Sequence, residues 1–330
     1  EPVTPDHPAP VAPFDPKPNI NRTIPTGSLA LDRALGTGGW PRGRIVELFG
    51  AESSGKTTLA LEAVAQAQRV GTAALIDADH ATDPEAARRL GVDPRGLLHH
   101  RTNQLEDIAK LVEQLVKRNV DLIALDSAGA LLAGDYARDP SYFPEGKDPR
   151  HQRMFEHWLK TLLAALSASR SVLLITNQQR EKIGVLYGDP KMTPWETHPL
   201  MDFASVRVEV KRVTHVKRGE DVVGSETRLR VVKNRLAAPF KNVELDILFD
   251  RGIDLEKELV TFGLENDVLT QSGRFIRFGD VVLGRTREEA TSKLRGDDSL
   301  ADEVHAALVA SFTPAPLADP PEAGSPDAGS

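Results

Sequence analysis

Gly50-Ala51-Glu52-Ser53-Ser54-Gly55-Lys56-Thr57-Thr58 fits the spacing G-x-x-x-x-G-K-[ST] of a phosphate-binding loop. Its flanks fit too. Ile45–Phe49 reads as a short buried strand running in. Thr57–Arg69 reads as a helix running out, with Leu59, Ala63 and Ala67 at four-residue spacing. The two glycines let the backbone bend so that its N–H groups face anionic oxygens, and the helix N-terminus adds partial positive charge. Lys56 is placed to reach β- and γ-phosphates, and the Thr57 hydroxyl to ligate Mg²⁺. A Gly/Ser turn with an incidental lysine is the alternative, and the strand–loop–helix order argues against it.

Working outward, Leu29–Leu35 reads as a short amphipathic helix behind Thr26-Gly27-Ser28, and Gly36 to Pro41 as the turn into the loop strand. Ala73–Asp77 and Asp121–Asp126 are buried strands ending in acids, and Val172–Thr176 is a third that stops at Asn177-Gln178. Asp83-Pro84 has the form of a helix start, Asp as cap and Pro in the first turn. Ile108–Val116 and Phe155–Leu166 repeat as helices, and residues 134–150 and about 184–201 read as long loops. Val206, Val208 and Val210 alternate with charged residues as a half-buried strand, followed by runs at Thr227–Val231 and Val243–Phe249. The expected class is α/β: a phosphate-loop NTPase core, residues 21–251, with a mostly parallel sheet carrying added antiparallel strands. Residues 252–312 read as a small separate C-terminal domain with a hairpin around Gly273 and Gly279. Residues 1–18 hold seven prolines and 313–330 hold five of the chain's 23, so 1–20 and 313–330 are expected to be disordered tails.

Composition narrows the function classes. No apolar run approaches 18 residues, which argues against a membrane span, and the Pro-rich start lacks an apolar signal core. The absence of cysteine excludes disulfides, thiolate zinc sites and a cysteine nucleophile, and is compatible with a reducing cytoplasm, the expected compartment. Net charge is −7, yet Ser205–Lys241 carries ten Lys/Arg against four acids. Such a stripe on an acidic chain suits a polyanion on one side, or else a solvated strand face.

Around the loop, Asp126 closes a buried strand where an acid can hold the Mg²⁺ water shell; a turn-capping Asp is the alternative. Asp77, Asp79 and Asp83 are each candidates to polarise an attacking water, with Asp77 and Asp79 expected on one side of the chain. Gln178, just past a buried strand, is either a γ-phosphate sensor or an edge amide.

Taken with Ile76-Asp77-Ala78-Asp79-His80-Ala81, Leu125-Asp126-Ser127, Lys182-Ile183-Gly184-Val185, Val222–Thr227 and Val231–Phe240, these features resemble the bacterial RecA recombinases from about residue 24 to 310. The resemblance implies an ATP-dependent assembly on single-stranded DNA that pairs it with a homologous duplex, acts in recombination and repair, and hydrolyses ATP with Mg²⁺ between adjacent copies. It implies phosphate and Mg²⁺ binding by Lys56 and Thr57, with Asp126 behind the metal. Asp79 stands at the catalytic acid position, Asp83 at the adenine contact and Gln178 at the γ-phosphate sensor. Lys233 and Arg235 match two lysines that reach the neighbouring copy's ATP, and Arg153, Lys160, Arg180, Lys182, Ile183 and Tyr187 fall at or beside DNA-contacting positions.

The departures matter equally. Asp79 is one methylene shorter than the family's Glu, which implies slow turnover. Ala86 replaces an adenine-stacking Tyr. Lys191–Pro199 replaces a Gly-rich DNA loop, with Trp195 either stacking on a base or anchoring the loop. Glu181 stands where the family is apolar near the bases, and residues 1–20 hold no counterpart of the family's N-terminal docking helix and strand, so filament, ring or shorter assembly all stay open. Two readings follow: a divergent RecA-class DNA-dependent ATPase, or a nucleotide-gated accessory paralogue with little strand exchange.

Overall fold

The computed structural model describes residues 23–134, 149–181, 191–192 and 198–312; the expectations for both tails, for most of the two long loops and for Lys182, Ile183, Tyr187 and Trp195 lie outside them. The described chain begins with a two-stranded pair, β1 (Thr23–Ile24) and β2 (Trp40–Pro41), bracketing α1 (Leu29–Leu35). Ser28 caps α1 by accepting from the Leu31 amide, and Gly36 closes it in the left-handed region. Strand and helix then alternate through β3 (Arg44–Gly50), α2 (Lys56–Val70), β4 (Ala73–Asp77), α3 (Pro84–Arg89), β5 (Leu97–His100), α4 (Leu105–Lys117), β6 (Leu122–Asp126), α5 (Pro149–Ser167) and β7 (Val172–Gln178). The short β8 (Arg180–Glu181) and β9 (Lys191–Met192) pair antiparallel, and α6 (Leu200–Phe203) leads into a long hairpin, β10 (Val206–Arg218) and β11 (Asp221–Asn234). After β12 (Asn242–Leu248) and β13 (Gly252–Ile253) come α7 (Leu255–Glu265), β14 (Thr270–Ser272), β15 (Phe275–Phe278), β16 (Val281–Gly284), α8 (Arg287–Arg295) and α9 (Asp298–Phe312).

Nine strands form one sheet in the order β13-β12-β11-β10-β3-β7-β6-β4-β5. Neighbours from β10 to β5 run parallel, and β11 to β13 extend the sheet antiparallel. The fold is therefore the expected α/β class with a mostly parallel sheet. Side chains alternate across it. Val46, Leu48, Leu75 and Leu174 face a core shared with α2, while Ile45, Ile76, Ile123 and Ile175 face one shared with α4 and α5. Both faces are covered, which is why these strands read as continuous apolar runs. A third apolar cluster joins α7, α8, α9 and the sheet β14–β16, whose turns fall at Gly273 and Gly279, and it takes in Leu29 and Ala30 of α1.

Some expected boundaries move. β7 continues through Asn177 and Gln178, because these residues pair with Phe49 and Gly50. α5 starts at Pro149, six residues before the expected start, and Leu200 and Met201 are helical rather than loop. β5 is a strand that apolar alternation did not announce: three of its four residues are exposed on the sheet edge.

Candidate nucleotide-binding site

The loop sits at the carboxyl end of β3, where the neighbours on either side are β7 and the later strand β10, a crevice in which open α/β sheets place ligands. Gly50 is required by its surroundings: a Cβ there would lie 2.0 Å from the Val210 carbonyl oxygen. Gly55 adopts φ 100° and Ser53 φ 55°, the left-handed region that turns consecutive amides to one side before α2 begins. The Lys56 side chain curls over the loop, with Nζ donating to the Ala51 carbonyl at 2.7 Å and the Gly50 carbonyl at 3.1 Å. Burial pushes its pKa down, while Asp126, Asp79 and Glu52 oppose that.

Next to it, Thr57 Oγ1 donates to Asp126 Oδ2 at 2.7 Å, and Thr176 Oγ1 donates to the other carboxylate oxygen. Burial raises the Asp126 pKa, the two hydroxyls lower it, and Asp79 and Asp77 add to the rise. A buried carboxylate crowded by other acids and touching a hydroxyl is an oxygen-only donor set, which suits a small hard dication such as Mg²⁺.

The three candidate acids separate. Asp77 is buried and committed: it accepts from the amides of Ala81 and Thr82 at 3.1 Å each and pairs with Arg101 at 3.3 Å. Asp83 caps α3 by accepting from the Glu85 and Ala86 amides, while lining the cavity above the loop. Asp79 is exposed, with its amide donating to the Asp126 carbonyl at 3.2 Å. β4 ends at Asp77, so strand alternation does not carry on to Asp79.

The cavity above the loop measures ≈ 380 Å³. Its floor runs from Ser53 to Thr58 and one wall carries Asp83 and Ala86. The opposite wall, Ser225, Ile247, Leu248 and Phe249, comes from β11 and β12 and was not among the expected contacts. Phe249 is 64% exposed. No local signal marks these residues, since only the antiparallel extension of the sheet brings them to the loop.

Lys233 and Arg235 do not join this site. Lys233 Nζ donates to the Met201 and Asp202 carbonyls at 2.6 and 3.0 Å, and Arg235 donates to the Asp202 carbonyl at 2.7 Å. Neither Lys233 nor Arg235 lines the cavity, and eight residues of β11, roughly 26 Å, separate Lys233 from Ser225 on its wall.

The basic stripe also divides. Arg207 is buried against Glu47 and Arg228 pairs with Glu244, while Lys211, Arg212, Lys217 and Arg218 remain exposed on the outer half of the β10–β11 hairpin. Of the expected DNA contacts, Arg153 is exposed on α5, and Lys160, on the same helix, pairs with Glu156 at 2.6 Å. Arg180 begins β8. Gln178 ends β7 opposite Gly50, beside Gly129.

Loop and switch point together define a phosphate-loop core. A family model for the RecA N-terminal domain matches residues 15–254. The RecA protein of Porphyromonas gingivalis is 41% identical over 283 residues, covering 85% of this chain and 82% of the relative. Those of Chlorobaculum tepidum and Acidothermus cellulolyticus are 42% and 41% identical over 299 and 300 residues, each covering 90% of this chain and 86% of the relative. The chain belongs to the RecA family.

Proposed function

We propose that this protein is a RecA-class, ATP-dependent single-stranded-DNA-binding protein of recombination and repair, with ATP hydrolysed where two copies meet. The observation that carries the reading is the separation within one chain of the phosphate loop from Lys233 and Arg235. Neither Lys233 nor Arg235 lines its own chain's cavity, both being held on carbonyls of Met201 and Asp202, and a second copy can bring its pair to that cavity. Such a head-to-tail contact builds an open assembly or a ring.

Within the shared site, Lys56 and Thr57 would hold the phosphates and Mg²⁺, with Asp126 behind the cation. The bound cation supplies neutralisation of phosphate charge. Asp79 is the acid free to orient a water, since Asp77 is consumed by the Ala81 and Thr82 amides and Asp83 by its helix cap. Gln178, at the end of β7 level with Gly50, is the candidate γ-phosphate sensor. Asp83 would take the adenine end. Arg153, Lys160 and Arg180, with Lys182, Ile183, Tyr187 and Trp195, are the proposed DNA contacts. Resemblance over most of the chain and of its relatives favours this reading over an accessory paralogue.

The test is steady-state ATP hydrolysis with and without single-stranded DNA, together with oligonucleotide affinity with and without Mg²⁺–ATP. Stimulation by single strands and nucleotide-dependent affinity are expected. Nucleotide binding that leaves DNA affinity unchanged would overturn the proposal.

A further inference from the structure

Glu47 is a carboxylate with no exposed surface, in the middle of the central strand β3. An ionised group there is costly unless it is paired. Its partners come from the strands on both sides. On β7, Asn177 Nδ2 donates to Glu47 Oε1 at 2.8 Å; on β10, Arg207 Nε donates to Oε2. The Arg207 guanidinium also lies over the Phe49 ring, 4.4 Å from its centroid, one residue before the phosphate loop. Arg207 is itself buried, so the three polar groups form a closed unit inside the sheet.

The position of that unit matters more than its strength. Asn177 immediately precedes Gln178, the residue level with Gly50. Arg207 lies directly opposite Lys233 in the β10–β11 register, and Arg235 follows two residues on. One end therefore lies one residue from Gln178, level with the first glycine of the phosphate loop, and the other stands beside Lys233 in the sheet. Both Arg207 and Glu47 are felt electrostatically at Lys233, with opposite sign. A sheet held by backbone pairing alone tolerates apolar residues at all three positions, and a buried ion pair is weak evidence for stability.

We propose that Glu47, through Asn177 and Arg207, is a positioning residue that couples Gln178 in one nucleotide site to Lys233 and Arg235 serving the next. This rests on the shared-site reading above. Tightening at Gln178 shifts Asn177, the Glu47 carboxylate follows its amide, and Arg207 carries the displacement to the β10–β11 pairing beneath Lys233.

The experiment uses the full chain with single-stranded DNA, and reads kcat, the ATP dissociation constant and the melting temperature. Glu47→Gln with Arg207→Met removes both buried charges together, keeps an acceptor for Asn177 and leaves no unpaired ion, so the fold is retained. The expected result is a kcat about tenfold lower with ATP affinity unchanged, because only the placement of the remote pair suffers. In a Lys233→Met background the same double change is expected to lower kcat no further, since both act through one group. Full multiplication of the two effects, or an unchanged kcat in the folded double variant, would overturn the inference. A wild-type protein showing no DNA-stimulated hydrolysis would instead sink the shared-site reading itself. If Glu47→Gln with Arg207→Met unfolds the chain, Asn177→Ser, which spares the ion pair, must still show the kcat loss and the same non-additivity; a Ser variant with normal kcat would refute the coupling.

Discussion

At Asp79, the acid we propose to orient the attacking water, the chain carries the shorter of the two carboxylic side chains. Losing one methylene withdraws the oxygens by roughly 1.5 Å, and misplacement of that size costs on the order of 10²-fold in rate. Asp79→Glu is therefore expected to raise kcat while leaving ATP affinity unchanged, measured by steady-state hydrolysis beside a nucleotide titration. An unchanged kcat would show that Asp79 already meets its water. Phe249 presents a second single-residue case. Phe249 is exposed and lines the cavity with Ala86, a small residue that offers no stacking surface. Phe249→Ala is expected to weaken nucleotide binding about fivefold to tenfold, the worth of an aromatic stack, without changing kcat. Fluorescence titration with a nucleotide analogue reads this directly.

At the scale of elements, the helix that leaves the phosphate loop is tied to the start of the C-terminal part of the chain by one carboxylate. Glu62 on α2 is buried, accepts from the Ile253 amide of β13 at 3.2 Å, and packs so closely that a Cβ on Gly252 would meet its oxygen at 2.1 Å. Burial raises its pKa from 4.5 to about 7, opposed by that amide and by Arg69. The folded state therefore holds a proton that the unfolded chain releases near pH 4.5. The stability this contributes is full below pH 4.5 and is lost as pH rises to about 7, an amount on the order of 3 kcal/mol. Glu62→Gln is expected to melt higher than the parent at pH 8 and to flatten the decline in stability between pH 5 and 7. Melting curves across that range test it, and an unchanged pH slope would place the ionisable group elsewhere. Asp32, raised to about 7 by burial, and Glu258, also raised, lie near one another where α1 meets α7, and both add slopes of the same sign.

At the scale of the whole molecule, the proposed shared site gives each copy one half of two different sites. Two inactive variants should then repair one another. Lys56→Ala lacks a working loop but still offers Lys233 and Arg235; the double variant Lys233→Met with Arg235→Met has the loop but offers no pair. Mixed in equal amounts, they are expected to recover about a quarter of the parent's hydrolysis, the fraction of random head-to-tail contacts that join a good loop to a good pair. Either variant alone stays near background, and a mixture that also stays there would mean that each site is completed within one chain.

The local chemistry was legible in the residues themselves. The loop, its strand and helix, Asp126 at a strand end and the Asp83 cap are all set by short-range spacing, since glycine freedom, helix capping and buried-strand runs act within a few positions of sequence. What the chain order could not show was which distant strands stand beside the loop. The wall of Ser225, Ile247 and Phe249 reaches the cavity only because β11 and β12 extend the sheet antiparallel, and that backbone amides engage Asp77 and Asp83 shows only in the folded chain. The apparent basic stripe behaved likewise. Eight of the ten cations became a buried ion pair, a surface pair, a carbonyl-bound pair and an exposed hairpin tip, because strand pairing, not sequence distance, decides which charge each one meets.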